Sequence, residues 1–168
     1  MRDKRLTVVV EGALMVALAF GLSFIKIYSA PYGGSVTLGS MIPIMLYAAR
    51  RGVGPGLAAG AAHGLLQLVV EPVIYHPVQV ILDYPLAFGF LGLAGLFKER
   101  VAFGVTVGVA GRFVSHYLSG VIFFASSAQG NPYVYSALYN GGYLVPELIV
   151  SVLIIRFGLY KAVEAARV

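Results

Sequence analysis

The sequence is poor in charge and contains no cysteine and no tryptophan. Of its 168 residues, 11% are charged and 59% are hydrophobic, and the mean hydropathy is +0.86. A soluble domain usually carries about a quarter charged residues, so this chain has too few to cover a water-facing surface. The same composition excludes intrinsic disorder. The absence of cysteine excludes disulfides, thiolate metal sites and cysteine nucleophiles.

The chain also lacks the motifs that would give it chemistry of its own. Neither a G-x-x-x-x-G-K-[ST] phosphate loop nor an H-E-x-x-H zinc motif occurs. Ser115 and His116 are adjacent and therefore face different directions on a helix, which argues against a serine–histidine dyad. The net charge of +5 does not indicate nucleic-acid binding, because the basic residues cluster at the ends of apolar runs. We expect no cofactor and no nucleic-acid partner.

Long apolar runs separated by turn sequences predict an all-α fold, a bundle of six transmembrane helices in a single domain. A membrane-spanning helix needs roughly 20 apolar residues, and the length of the chain suits five to seven such spans. We place the helices near residues 6–27, 37–50, 53–71, 77–97, 101–125 and 136–158. The second is short enough to be tilted or partly re-entrant.

The distribution of Lys and Arg predicts that both termini lie on the inner side of the membrane. Cytoplasmic loops carry an excess of these residues. With the termini inside, Lys26 alone falls at the outer side and Arg112 lies within a span. The other ten of the twelve basic residues fall at the inner side: Arg2, Lys4, Arg5, Arg50, Arg51, Lys98, Arg100, Arg156, Lys161 and Arg167.

Three polar side chains within the apolar runs are predicted to lie at one level beneath the outer face. At 1.5 Å per residue, Asp83 lies about 9 Å deep, His116 about 8 Å deep and Asn140 about 6–9 Å deep. An ionisable group in the bilayer is costly and marks a functional site by default. Neighbouring positions on the same helices add further groups: Tyr84, Gly120, Tyr135, Ser136, Tyr139, Tyr143 and Glu147.

This cluster predicts a small-molecule pocket that opens outward. A carboxylate beside tyrosines and a histidine suits a flat, cationic heteroaromatic ligand, with cation–π attraction of about 0.5–2 kcal/mol per contact. Structural interpretations stay open for single members: helix-pair hydrogen bonding for Asp83 and His116, and a membrane anchor for Tyr135. For Arg112 and Glu147, which lie at similar depth, a buried ion pair is the favoured interpretation.

Small residues repeat at four-residue spacing and predict close contacts between helices. The repeats are Gly56, Gly60 and Gly64 on the third helix, Gly104 and Gly108 on the fifth, and Ala13 and Ala17 on the first. Internal packing is the simpler interpretation for each. The first helix differs, because a terminal helix can offer its small face to another subunit. Glu11, near its inner edge, is expected to be a cap or a subunit contact.

Five segments resemble the thiamine-specific substrate-binding (S) components of energy-coupling factor (ECF) transporters, the ThiT family. The segments are 11–20, 42–52, 82–88, 112–124 and 135–141. In order, they are similar to the family's A-x-x-x-A docking helix, its segment ending in Arg-Arg-Gly, its acidic-plus-tyrosine motif, its Arg-x-x-x-His-x-x-x-Gly-Val-Ile-Phe motif and its Tyr-Ser-x-x-x-Asn-Gly motif. The last two, at this separation, are the most specific.

The resemblance implies a prokaryotic, multi-pass cell membrane subunit that captures thiamine from outside and is not an enzyme. It implies transport with a transmembrane coupling subunit, in contact at Ala13 and Ala17, and with two ATPase subunits. It also implies a stacking role for Phe124, which stands where the family often has tryptophan. The positions that match family ligand-binding residues are Asp83, Tyr84, His116, Gly120, Tyr135, Ser136 and Asn140.

Two departures from the family pattern keep other ligands open. Without tryptophan, Phe124 and either Tyr28 or Tyr32 of the first outer loop would supply the stacking faces. Asp83 stands where the family usually has glutamate, which moves the carboxylate by about 1–1.5 Å. The alternatives are an S component for another vitamin or a thiamine precursor, a small intramembrane enzyme using Asp83 or His116 as acid or base, and a passive channel or scaffold.

Overall fold

The computed structural model describes residues 4–128 and 130–158. Apart from short 3-10 turns, these residues form six helices and one hairpin: α1 (Lys4–Ser23), β1 (Lys26–Ser29), β2 (Ser35–Thr37), α2 (Ile42–Arg51), α3 (Val53–Val70), α4 (Pro77–Leu96), α5 (Val101–Phe123) and α6 (Pro132–Gly158). All but α2 are long and apolar enough to cross a membrane. The mostly helical fold predicted from the sequence is confirmed, with five helices apolar enough to cross a membrane. The remaining predicted span, at 37–50, is not confirmed.

The segment that follows α1 folds into an antiparallel hairpin where the sequence predicted the ends of two helices. The helix predicted at 6–27 ends at Ser23, and β1 then pairs with β2, with Lys26 opposite Thr37. The helix predicted at 37–50 begins only at Ile42. It cannot begin earlier because Thr37 belongs to β2 and Gly39 has a φ of 81°, which is outside the helical region.

The helix α2, which follows the hairpin, packs in the interior of the protein. With ten residues, α2 is too short to span a bilayer, yet all but three of its side chains are buried. Met45 is fully buried, as are Leu91 of α4 and Val105 of α5. The core therefore lies around α2, between it and the longer helices.

α3 and α4 pack against each other through glycines. A side chain at Gly60 would overlap the Phe88 carbonyl and the backbone of Gly89, and one at Gly64 would overlap the Tyr84 carbonyl. From the other helix, Gly92 lies against the backbone of α3. The close packing that the glycine spacing of α3 predicts is confirmed, and it holds the middle of α4 directly against α3.

α4 contains a π turn at Leu82–Leu86 and continues as a 3-10 helix from Phe90 to Leu96. Pro85 lies inside the π turn and has no N–H to donate to the preceding turn. The Ser115 hydroxyl of α5 donates to the Leu82 carbonyl at 2.6 Å. The irregular turn, which carries Asp83 and Tyr84, is thus fixed from both sides, by α3 and by α5.

The N-terminal half of α1 is tied to α2 by charge and by one buried tyrosine. Glu11 accepts from Arg51 Nε at 2.7 Å and lies 3.3 Å from Arg50 Nη1. Tyr47 donates to the Val8 carbonyl at 2.8 Å. Glu11, expected to be a cap or a subunit contact, pairs within the chain with both Arg50 and Arg51.

We expect Gly60→Ala to lower the thermal stability of the protein. The added methyl group would overlap backbone atoms of α4, which cannot rotate away, and overpacking of this kind costs about 1–3 kcal/mol. Gly142→Ala, at an exposed helical position of α6, is the matched control, because nothing lies within 4 Å of its new methyl group. Thermal unfolding in detergent measures both variants, and equal unfolding temperatures would contradict the packing described.

Candidate functional site

A cavity lies beneath the hairpin, between α3, α4, α5 and α6. Its volume is about 870 Å³, including its open mouth. The hairpin contributes Tyr32 to Ser35, α3 contributes Gln67, and Glu71 follows directly after α3. All eight ligand-binding candidates from the sequence line this cavity: Asp83, Tyr84, His116, Gly120, Phe124, Tyr135, Ser136 and Asn140.

The carboxylate of Asp83 accepts three hydrogen bonds from the protein. Gln79 Nε2 donates to Oδ2 at 2.7 Å, and the Ser119 hydroxyl donates to the same oxygen at 2.8 Å. His116 Nδ1 lies 3.0 Å from Oδ1. An ionised carboxylate has about four acceptor positions, so Asp83 retains about one free position, on Oδ1.

The neighbouring arginine determines the tautomer of His116. Arg112 Nε donates to His116 Nε2 at 3.2 Å, and because a guanidinium has no acceptor, Nε2 must be the unprotonated nitrogen. The proton of the neutral imidazole is therefore on Nδ1, where it is donated to Asp83. Both ring nitrogens are engaged, which leaves neither available to activate a nucleophile.

The prediction of a buried ion pair between Arg112 and Glu147 is wrong. In the described part of the chain these two side chains have different partners. The Arg112 guanidinium lies 4.0 Å from the centre of the Phe88 ring and contacts Met41 Sδ at 2.8 Å. Equal depth along two helices does not determine which way two side chains point around the helix axes.

Glu147 instead fastens the hairpin to α6. It accepts from both the backbone N–H and the hydroxyl of Thr37, at the end of β2, and it is 1% exposed. The Thr37 hydroxyl also accepts from the Ser40 N–H at 3.0 Å. About two turns before Glu147 on α6, the Tyr139 hydroxyl donates to the Pro31 carbonyl. Two side chains of one helix thus hold the hairpin over the cavity.

Aromatic rings surround the mouth of the cavity. The Phe124 ring lies 6.1 Å from Tyr32 and 5.1 Å from Tyr75, between ring centres. Tyr135 and Tyr139 stack 6.2 Å apart. Of the two loop tyrosines considered from the sequence, Tyr32 lines the cavity. A flat ligand that enters here meets aromatic faces from the hairpin, α5 and α6.

Asn140 and Gly120 set the contact between α5 and α6. Asn140 Nδ2 donates to the Ser136 carbonyl at 2.9 Å and to the His116 carbonyl at 3.3 Å, and its Oδ1 accepts from the Tyr143 hydroxyl at 2.8 Å. A side chain at Gly120 would overlap Ser136 Oγ. These residues shape the wall of the cavity by bringing two helices close together.

Tyr84 holds the segment between α3 and α4. Its hydroxyl donates to the Glu71 carbonyl and accepts from the Val73 N–H, both at 2.8 Å. The Glu71 side chain pairs with Lys26 of β1. The start of β1, the end of α3 and the part of α4 around Tyr84 are therefore linked at the edge of the cavity.

Sequence reasoning missed several residues that line the cavity. For Gln79 a signal existed, since it precedes Asp83 by four residues and so lies one turn away on the same helical face. Ser119 precedes Gly120 and carried no separate signal. Of the hairpin residues that line the cavity, only Tyr32 was considered, because the hairpin itself was not predicted. The full set of these additional polar residues is Ser35, Gln67, Glu71, Gln79 and Ser119.

The charged and aromatic residues of this cavity indicate which ligands it could bind. Within residues 4–128 and 130–158, no group of three or more His, Cys, Asp and Glu side chains could hold a metal ion. Two carboxylates, those of Asp83 and Glu71, with one guanidinium and a ring of aromatics suit a small flat molecule that carries positive charge and polar substituents.

Comparison with known proteins identifies similar chains. The family model described as thiamine transporter protein (Thia_YuaJ) matches residues 9–166. The chain is 35% identical to the thiamine transporter ThiT of Bacillus subtilis, over 92% of this chain and 91% of that one. It is 30% identical to the thiamine transporter ThiT of Lacticaseibacillus paracasei, over 92% and 87% respectively. A solved structure of ThiT from Listeria monocytogenes matches with a TM-score of 0.85 and 30% identity, over 98% of this chain and 99% of that one.

We expect Thr37→Val to destabilise the protein, because it removes a hydroxyl bonded to the buried Glu147 carboxylate while conserving shape. A hydrogen bond to a charged group contributes about 1.5–3 kcal/mol. Thr106→Val is the matched control, since that hydroxyl is exposed and bonds only the Ala102 carbonyl of its own helix. Thermal unfolding compares the two variants, and a smaller loss for Thr37→Val than for Thr106→Val would contradict the anchoring role.

Proposed function

Because the chain belongs to the thiamine transporter protein family (Thia_YuaJ), we propose that it is the substrate-binding (S) component of an ECF importer that captures thiamine from the extracellular side. It is a multi-pass cell membrane protein. The observation that carries the proposal is the meeting of all eight sequence-selected residues around one cavity, with the Asp83 carboxylate among them.

The proposed ligand matches the cavity in shape and charge. Thiamine joins a neutral aminopyrimidine to a cationic thiazolium ring. Asp83 supplies the opposite charge, and Phe124 and Tyr32 supply faces for stacking, each cation–π contact contributing about 0.5–2 kcal/mol. Phe124 and Tyr32 would then act in place of the tryptophans that the family commonly uses. We assign ligand contacts also to Tyr135 and Asn140.

We propose an orientation with both termini inside and the cavity mouth outside. The bias of Lys and Arg supports it, and so does the position of Lys26, the sole basic residue assigned to the outer side, beside the cavity mouth. Three residues of the inner set, Arg2, Lys161 and Arg167, lie outside the described residues.

We propose that transport depends on a transmembrane coupling subunit in contact with Ala13 and Ala17, and on two ATPase subunits. Both alanines are exposed on α1, and one turn further along this face nothing lies within 4 Å of the Gly21 methyl position. The chain has no phosphate loop, so the energy of ATP must come from other subunits. We propose that the chain itself has no enzymatic activity.

Isothermal titration of the detergent-purified protein with thiamine tests the substrate. Saturable binding of one thiamine per chain is the expected result. Titration with the hydroxymethylpyrimidine precursor and with riboflavin distinguishes a related S component, which Asp83 and the absence of tryptophan leave open. Conversion of bound thiamine into another compound would instead support the intramembrane enzyme.

We expect Asp83→Ala and Asn140→Ala each to weaken thiamine binding by about 1–3 kcal/mol. Asp83→Ala removes the charge that faces the ligand, and each change leaves buried polar groups without partners. Thr106→Ala, on the exposed face of α5, is the control and should bind as tightly as the unaltered protein. Near-normal affinity in both pocket variants would remove this cavity as the thiamine site.

We expect Ala13→Trp and Ala17→Trp to abolish thiamine uptake and to leave thiamine binding intact. A large ring on the small face of α1 would prevent close approach of a coupling subunit. Val114→Trp, at an exposed position of α5, should permit uptake. The measurement pairs uptake by cells that express the ECF module with titration of each purified variant, and equal loss of binding and uptake would place this face inside the protein's own fold.

A further inference from the structure

We propose that Gln79 and Ser119 are positioning residues for Asp83 and that they set the preference of the site for a cationic ring over a neutral one. The inference rests on the proposed function and extends it to the origin of selectivity. The carboxylate of Asp83 already accepts hydrogen bonds from the protein before any ligand binds.

Gln79 is held in one orientation by three hydrogen bonds. Its Nε2 donates to Asp83 Oδ2 at 2.7 Å and to the Val73 carbonyl at 3.1 Å, and its Oε1 accepts from the Tyr75 N–H at 2.9 Å. The side chain is fully buried. Every polar atom of the amide is therefore engaged by the protein, and its donor group points at the carboxylate.

Ser119 approaches the same oxygen from the neighbouring helix. Its hydroxyl donates to Asp83 Oδ2 at 2.8 Å, and the residue is 1% exposed. With His116 on Oδ1, two donors on one oxygen and one on the other prevent the carboxylate from rotating. A rotation of Asp83 would break bonds to α4 and α5 together.

The hydrogen bonds to Asp83 limit how this residue can recognise a ligand. About one acceptor position remains free, so the carboxylate acts on the ligand mainly through its charge and through its fixed location. A shorter side chain than glutamate reaches less far toward a ligand, and rigid support from Gln79 and Ser119 compensates by keeping the charge in place. A neutral ring of the same shape gains the stacking but not this attraction.

The chain offers a closely matched control on the same helix. Ser115 lies one turn before Ser119 on α5, is equally buried at 1% exposure, and also donates to the π turn of α4. Its acceptor, however, is the Leu82 carbonyl rather than the Asp83 carboxylate. Ser115→Ala therefore removes a buried hydroxyl that braces the same turn without touching the charged group.

The test compares affinities for thiamine and for deazathiamine, the analogue whose five-membered ring is a neutral thiophene. For Ser119→Ala we expect a loss of about tenfold in thiamine affinity, in line with a hydrogen bond to a charged group, and less than about threefold for deazathiamine. Gln79→Met, which conserves length, should give the same split. Ser119→Thr, which keeps the hydroxyl, should restore the ratio of the two affinities, and Ser115→Ala should leave it unchanged.

Each outcome of this titration series decides the question. An equal loss for both ligands in Ser119→Ala and Gln79→Met would mean that the two residues only shape the cavity, and it would overturn the inference alone. An unchanged or raised thiamine affinity in both variants would overturn it as well. Absence of thiamine binding by the unaltered protein would overturn the proposed function and the inference together.

Discussion

The partly buried carboxylate of Asp83, whose side chain is 16% exposed between apolar helices, is the constraint on which the cavity depends. An isolated charge in such a place is strongly unfavourable, so Asp83 requires donors, and the fold supplies them from two helices. His116 is one of these donors only because Arg112 occupies its other nitrogen. The polar residues of the cavity therefore act as one connected group, and their positions follow from the need to support this charge.

The helices reach these positions through close packing. Glycines of α3 admit the backbone of α4 without intervening side chains, and the π turn at Leu82–Leu86 places Asp83 and Tyr84 at the cavity wall. Above them, Glu147 and Tyr139 hold the hairpin in place from α6. The cavity is thus built almost entirely from contacts between helices, with one short hairpin as its cover.

Helical periodicity and depth predicted which residues meet around one cavity, but they did not predict in which direction each side chain points around its helix axis. Asp83, His116 and Asn140 were brought together correctly because residue number converts directly into depth. The partners of Arg112 and Glu147 were not predicted, since equal depth leaves direction undetermined. The hairpin was missed because its strands are only four and three residues long and are continuous with apolar runs. Its contributions to the cavity were missed with it.

The most direct test of the central claim is an experimental structure of the protein with thiamine bound. We expect thiamine to occupy the cavity beneath the hairpin, with its cationic ring near Asp83 and an aromatic face of Phe124 or Tyr32 against it. The three hydrogen bonds to the carboxylate should be retained. Thiamine bound elsewhere, or bound in the cavity with its charged ring away from Asp83, would contradict the claim that this supported carboxylate is what selects the ligand.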